Sequence, residues 1–283
     1  MSIREIQSGK ITEAVAELCK QANYYLPDDV LDALKKAQNE EESPLGKEVL
    51  GKIIENADVA AQKQTPLCQD CGTVLIFIEI GQDVHVVGGS LALAVEEGVR
   101  QGYAEGYLRK SMVANPFSSR TNTSDNTPPV VYTDIVDGDK IKITVMPKGG
   151  GSENMTRFVA LTPAQGRTAV VDFVVDAVDK AGSSPCPPII VGIGIGGTAD
   201  KAMLLSKKAL ARKVGGPNAD AEVAVLEKEL LTEINALGIG PQGFGGIITA
   251  LAVHVEVFPA HIASLPVAMT VQCHSARHKE IVL

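Results

Sequence analysis

Apolar residues at Ile11, Val15 and Leu18 recur three to four positions apart within residues 8–22, the spacing that gathers them on one helical face. A second helix is predicted after Pro27-Asp28-Asp29, where a proline and two acids suit a first turn. A third follows Ser43-Pro44 and reaches about residue 62. The period then changes. Residues 73–80 form a continuous apolar, β-rich run that reads as a buried strand, and residues 90–107 return to helical spacing. Strands are predicted over 130–136 and 140–145, joined as a hairpin by Asp137-Gly138-Asp139. Further on, the pattern predicts a helix over 165–181, a strand over 188–195, helices over 199–213 and 221–236, and strand-like runs over 247–255 and 267–272. The fold class expected is mixed α/β. Its organisation reads as a helical N-terminal segment, 1–65, followed by a mixed α/β domain, 66–283, or else as one intertwined domain over 1–283. Neither repeats nor low-complexity linkers are evident, and the glycine-rich stretch 238–246 reads as a mobile loop.

Composition narrows the function. The 283 residues carry 26 Lys and Arg against 34 Asp and Glu, a formal charge of −8. That balance argues against nucleic-acid and anionic-membrane partners, which need a basic surface. With 45% hydrophobic and 21% charged residues, disorder is excluded as the default. Met1-Ser2-Ile3-Arg4-Glu5 has no apolar core of a signal peptide, and the apolar run 189–197 is far shorter than the roughly 20 residues that span a bilayer. A soluble, cytoplasmic protein is expected.

Cys19, Cys68, Cys71, Cys186 and Cys273 are an odd number of cysteines in such a chain, which favours metal or redox chemistry over a disulfide framework. Cys19 sits in the first helical pattern and reads as a core residue. Cys68-Gln69-Asp70-Cys71 admits three readings. Half a zinc ribbon lacks a second Cys/His pair at suitable spacing. A thioredoxin-like pair should follow a strand, whereas this one precedes it. The third reading takes one of the two as a ligand together with Cys186 and Cys273, which fall at element ends, where a thiol can face a cleft. Three such cysteines suit a cubane iron–sulfur cluster with one iron left unligated by protein. Lys148-Gly149-Gly150-Gly151-Ser152 is either an anion-binding nest or an ordinary hairpin end. Gly192-x-Gly194-x-Gly196-Gly197 departs from the dinucleotide spacing, and close strand–helix packing is the preferred reason for its glycines.

Taken in order, several segments resemble class I fumarate hydratases. They are Cys68-Gln69-Asp70, Leu108-Arg109-Lys110-Ser111, Thr121-Asn122-Thr123-Ser124-Asp125-Asn126-Thr127-Pro128, Lys148-Gly149-Gly150-Gly151-Ser152, Cys186-Pro187-Pro188, His261-x-Ala263-Ser264-Leu265-Pro266 and Cys273. The nearest resemblance is to the separate alpha subunit of the two-subunit form, which also includes L-tartrate dehydratases. It implies a [4Fe–4S] cluster held by Cys68, Cys186 and Cys273 on loops and element ends, with no ligand role for Cys71. It also implies substrate contacts from Gln69, Arg109, Gly151, Asn154 and Thr156, an acid at Asp70 that assists the catalytic base, and a histidine, His261, beside the departing hydroxyl. The reaction implied is the reversible hydration of fumarate to (S)-malate, with L-tartrate dehydration as the alternative. A beta subunit carrying the family's C-terminal catalytic half would complete the site of an alpha2beta2 enzyme acting on a small dicarboxylate. A non-catalytic iron–sulfur scaffold, or a nucleotide-binding protein using residues 192–197, remains a competing reading.

Overall fold

The computed structural model describes residues 3–283. In chain order its elements are β1 (Arg4–Gln7), α1 (Ser8–Tyr24), α2 (Asp28–Glu40), α3 (Pro44–Lys63), β2 (Thr73–Gly81), β3 (Val84–Val87), α4 (Leu91–Glu105), β4 (Val130–Val136), β5 (Ile141–Lys148), α5 (Gly150–Glu153), β6 (Arg157–Leu161), α6 (Gly166–Ala181), β7 (Ile189–Gly196), α7 (Ala199–Ala209), α8 (Ala221–Ala236), β8 (Ala250–Phe258), β9 (Leu265–Gln272) and β10 (Lys279–Val282). The mixed α/β expectation holds. The chain divides into two units, one of Met1–Pro27, Ala57–Gly150 and Arg277–Leu283, the other of Asp28–Asn56 and Gly151–Ala276.

The first unit is built on β2. Its Val74, Ile76 and Ile78 face Ile11, Val15 and Cys19 of α1 and Val95, Val99 and Tyr103 of α4, while Leu75 and Phe77 are buried on the opposite face. Each such side chain removed from water contributes roughly 1.5–3 kcal/mol. A strand buried on both faces needs a neighbour along each edge, and this need overturns the hairpin expected between 130–136 and 140–145. β2 lies between them, parallel to β4 with Ile76 opposite Val131 and antiparallel to β5 with Ile76 opposite Val145. The sheet order is β10-β5-β2-β4. The Asp137-Gly138-Asp139 turn therefore crosses the end of β2, where the Gly81 N–H bonds the Lys140 carbonyl at 2.8 Å.

The second unit carries the sheet β6-β9-β7-β8. Val170 and Val174 of α6 and Leu230 and Ile234 of α8 cover Val191, Ile193, Val255 and Met269 on one face. On the other face α7 lies directly on β7. A Cβ on Gly192 would stand 2.2 Å from the Ser206 carbonyl oxygen, and one on Gly194 2.0 Å from that of Ala202. Close packing is thus the reason for those glycines. Two ends differ from the sequence pattern. α7 stops at Ala209, after which the Leu210, Ala211 and Arg212 N–H groups bond carbonyls three residues back and Arg212 pairs with Glu227. β8 begins at Ala250 and not at 247, because the Ile247 and Ile248 N–H groups donate to the Glu41 carboxylate at 3.1 and 3.0 Å. The stretch 238–246 that the pattern alone presents as mobile is fastened by Gln242, whose Nε2 donates to the Pro187 carbonyl, and by the Gly240 N–H, which donates to the Thr249 hydroxyl at 3.2 Å.

Candidate active site

In the first unit the residues 67–72 form a short loop ahead of β2. The Asp70 N–H donates to Cys68 Sγ at 3.4 Å. The Asp70 carboxylate accepts the Gly72 N–H at 2.9 Å through one oxygen and the Gly150 N–H at 2.8 Å through the other. The glycine-rich turn after β5 thus spends an amide on an internal anion, Asp70. Arg277, almost fully buried, donates to the Asp70 carbonyl at 2.7 Å and to Asn23 Oδ1 at 3.1 Å, holding the loop from behind. Gln69 is exposed and Asp70 half-buried.

Cys71 acquires a role that spacing did not offer. It is 1% exposed, and its Sγ accepts the Arg109 backbone N–H at 3.2 Å. Burial pushes its thiol pKa up, so it persists as a neutral thiol. Asn126, also buried, accepts the Ser111 N–H at 2.7 Å and donates to the Gly72 carbonyl at 3.1 Å. The Thr121–Pro128 motif is therefore a clamp that fixes the segment carrying Arg109 against the Cys68 loop. The Arg109 side chain itself is exposed.

In the second unit, strand polarity does the assembling. β7 and β9 are antiparallel with Ile190 opposite Gln272, so the start of β7 lies beside the end of β9. Cys186, just before β7, and Cys273, just after β9, are therefore neighbours, and the His274 N–H donates to the Cys186 carbonyl at 3.2 Å. β6 is also antiparallel to β9. This brings Gly151, Asn154 and Thr156, which precede β6, to the same end of the sheet. The Thr156 hydroxyl meets that of Thr270 at 2.9 Å, and a Cβ on Gly151 would lie 3.3 Å from the Ser184 carbonyl oxygen. Gln242 closes the arrangement. Its Nε2 donates to the Pro187 carbonyl at 2.8 Å and lies 2.9 Å from His274 Nδ1. The same Nδ1 lies 3.1 Å from the Cys186 carbonyl oxygen. Cys186 itself has φ +57°, a left-handed conformation that is strained for a residue with a Cβ and that marks a constrained presentation of its side chain.

His261 stands apart from this end. It lies in the turn between β8 and β9, where the Gly197 N–H bonds the Pro259 carbonyl at 3.2 Å at the far end of β7. Strand β9 separates it from Cys273 by roughly 25 Å at about 3.3 Å per residue. The histidine expected beside the departing hydroxyl is therefore not brought to the cysteine end of its own unit. Its Nδ1 accepts the Ala263 N–H at 3.2 Å, which makes it a turn residue. Of the other histidines, His254 is 2% exposed and bonds the Ala209 carbonyl at 3.1 Å, a packing role.

The five thiols sort by exposure. Cys186 is exposed and Cys68 and Cys273 are half-buried, whereas Cys19 and Cys71 are inside. Burial drives the Cys19 pKa up to about 12. The three thiols that keep solvent exposure are the three that the resemblance names, and soft thiolate donors suit iron–sulfur chemistry. Among the described residues no helix is long and apolar enough to cross a membrane.

Residues 12–282 match the family model described as Fumarate hydratase (Fumerase). The chain is 44% identical over 274 residues to the Methanocaldococcus jannaschii protein named "Putative L(+)-tartrate dehydratase subunit alpha", covering 95% of each chain. It is 32% identical over 270 residues to the L(+)-tartrate dehydratase subunit alpha of Escherichia coli and to that of Shigella sonnei, covering 95% of this chain and 89% of each relative.

Proposed function

The chain belongs to the fumarate hydratase (Fumerase) family of hydro-lyases, and from that premise we propose that it is the alpha subunit of an iron–sulfur enzyme that dehydrates a four-carbon 2-hydroxydicarboxylate. Cys68, Cys186 and Cys273 would hold a [4Fe–4S] cluster. The observation that carries the reading is the antiparallel pairing of β7 with β9, which sets Cys186 beside Cys273 while Cys19 and Cys71 stay buried. When bound, such a cluster supplies a Lewis-acidic iron for the departing hydroxyl.

The remaining chemistry belongs to side chains. Dehydration needs the substrate carboxylates held, a C–H proton removed beside one of them, and a proton delivered to the leaving oxygen. Arg109 offers a bidentate guanidinium to a carboxylate and stabilises negative charge that grows on it. Gln69 supplies an amide donor, and Gly151, Asn154 and Thr156 supply backbone and side-chain donors at the cysteine end of the second sheet. Asp70 holds the Cys68 loop and the Gly150 amide in one geometry, which places it to support a base. We assign no proton step to His261. A beta subunit would contribute the rest of the site, as the names of the relatives as alpha subunits suggest.

The family description supports (S)-malate and fumarate as the substrate pair. L(+)-tartrate is the second reading, because the relatives at 44% and 32% identity carry that substrate in their names. The test is turnover by the full chain, cluster-loaded without oxygen and mixed with its beta subunit. (S)-Malate should give the ultraviolet absorbance of fumarate, or L(+)-tartrate should give oxaloacetate, and the chain alone should convert neither. Activity of the lone chain, or none with either substrate in the complex, contradicts the proposal.

A further inference from the structure

The two edges of the first unit's sheet are treated differently. β10 is four residues long, and its Glu280 pairs with Lys142 at 3.0 Å, so that edge is short and charged. β4 is seven residues, Val-Val-Tyr-Thr-Asp-Ile-Val, with no Lys or Pro, and it pairs with β2 on one side only. Val131 is 40% and Ile135 76% exposed, with Val130 and Val136 also exposed. A long apolar edge strand invites another strand unless it is blunted, and this one has no Lys, Pro or bulge, its one charge being Asp134.

The backbone of β4 is set up for such an addition. The Val136 carbonyl accepts the Gln82 N–H at 2.8 Å on the β2 side. Because N–H and C=O groups alternate in direction along a strand, Val131, Thr133 and Ile135 turn theirs toward the open edge. The sequence is also self-complementary. A two-fold axis normal to the sheet keeps each residue on its own face, so the axis must pass beside a residue and not between two. Centred on Thr133, an antiparallel pairing opposes all seven residues. Val130 meets Val136, Val131 meets Ile135, Tyr132 meets Asp134, and Thr133 meets itself. Apolar groups face apolar groups, and a phenol faces each carboxylate. Centring on Asp134 would oppose two carboxylates, and centring on Tyr132 would set Asp134 against Val130.

We propose that β4 is the site at which two copies of this chain join, antiparallel and centred on Thr133, to make one continuous eight-stranded sheet. The contact is isologous, as closed dimers require. It deepens the two-subunit reading by naming the alpha–alpha surface, but its argument uses no active-site residue, so either can fail alone. The test is sedimentation velocity of the purified full chain with a cross-linking arm. The chain should sediment at twice its 29.8 kDa mass. Ile135→Lys, which enters the interface twice, should raise the dimer dissociation constant at least tenfold with unchanged circular dichroism. In Thr133→Cys the opposed Cα atoms would be about 5.5 Å apart, within disulfide reach. Mild oxidation should therefore join the two introduced thiols, identified by mass spectrometry, while Asp134→Cys should not self-link. A monomer at tens of micromolar overturns the proposal. So does a dimer that is indifferent to Ile135→Lys and yields no Thr133→Cys cross-link, or an introduced thiol shielded only when the beta subunit is added.

Discussion

The Gly150 backbone N–H and the Asp70 carboxylate lie 2.8 Å apart, and this bond ties the glycine-rich turn after β5 to the loop that presents Cys68. The other oxygen of the same carboxylate takes the Gly72 N–H at 2.9 Å. An acid beside a proposed cluster ligand thus has a structural task before it has a chemical one.

Asp70→Asn separates the two tasks. An amide can accept only through its one oxygen, so one of the two N–H groups loses its partner. The unfolding free energy should fall by about 1–3 kcal/mol in urea titration, and anaerobic iron loading should fall with it. Unchanged urea stability with a kcat lowered by about 10²–10⁴, the span of a lost acid–base group, would instead make Asp70 purely a proton-transfer residue.

Cys71→Ala tests the support of Arg109. Without Sγ the Arg109 N–H has no acceptor there, which costs about 1–3 kcal/mol. In the alpha–beta complex KM should rise more than kcat falls, since carboxylate capture suffers first, while iron content stays at the wild-type level. Cys71→Ser, which restores an acceptor, should recover most of the loss.

Glu41 predicts a pH dependence of stability. It is 1% exposed. Burial alone would raise its pKa, but N–H bonds from Ser43, Ile247, Ile248 and Glu42 outweigh burial and hold it below the usual carboxylate value. A carboxylate with a depressed folded-state pKa contributes stability in full above its unfolded pKa, about 4.3, and loses it as the pH falls through the folded value. Glu41→Gln should therefore lower stability by about 3 kcal/mol at neutral pH. The gap in thermal midpoint between variant and wild type should narrow steadily as the pH falls below about 5. A gap that is constant from pH 7 to pH 3 would exclude this origin.

These residues also mark what the chain discloses before folding. β2 is legible because nine residues that are apolar almost throughout can only be a buried strand, and α1 because its stripe repeats at helical spacing. The pairing of β4 with β2 is not legible, because a turn signal at Asp137-Gly138-Asp139 reports a local reversal and says nothing of the strand that inserts between its arms. β1, β3, β6 and β10 are four or five residues each, too short for a period to declare itself. The three thiols could be proposed from their positions at element ends. That Cys186 sits beside Cys273 while His261 sits at the other end of the sheet follows only from the antiparallel sense of β7 and β9. Glu41, Gln242 and Arg277 carry no sequence signal at all, because each acts through backbone groups far along the chain.

The most direct test of the central claim is iron and sulfide content per chain after anaerobic reconstitution, read with the visible absorbance of the cluster. Wild type, Cys19→Ser and Cys71→Ser should each hold about four irons, the content of one cubane, while Cys68→Ser, Cys186→Ser and Cys273→Ser should each fail to retain them. A Cys186→Ser chain that keeps a full cluster, together with a Cys71→Ser chain that loses it, would contradict the account.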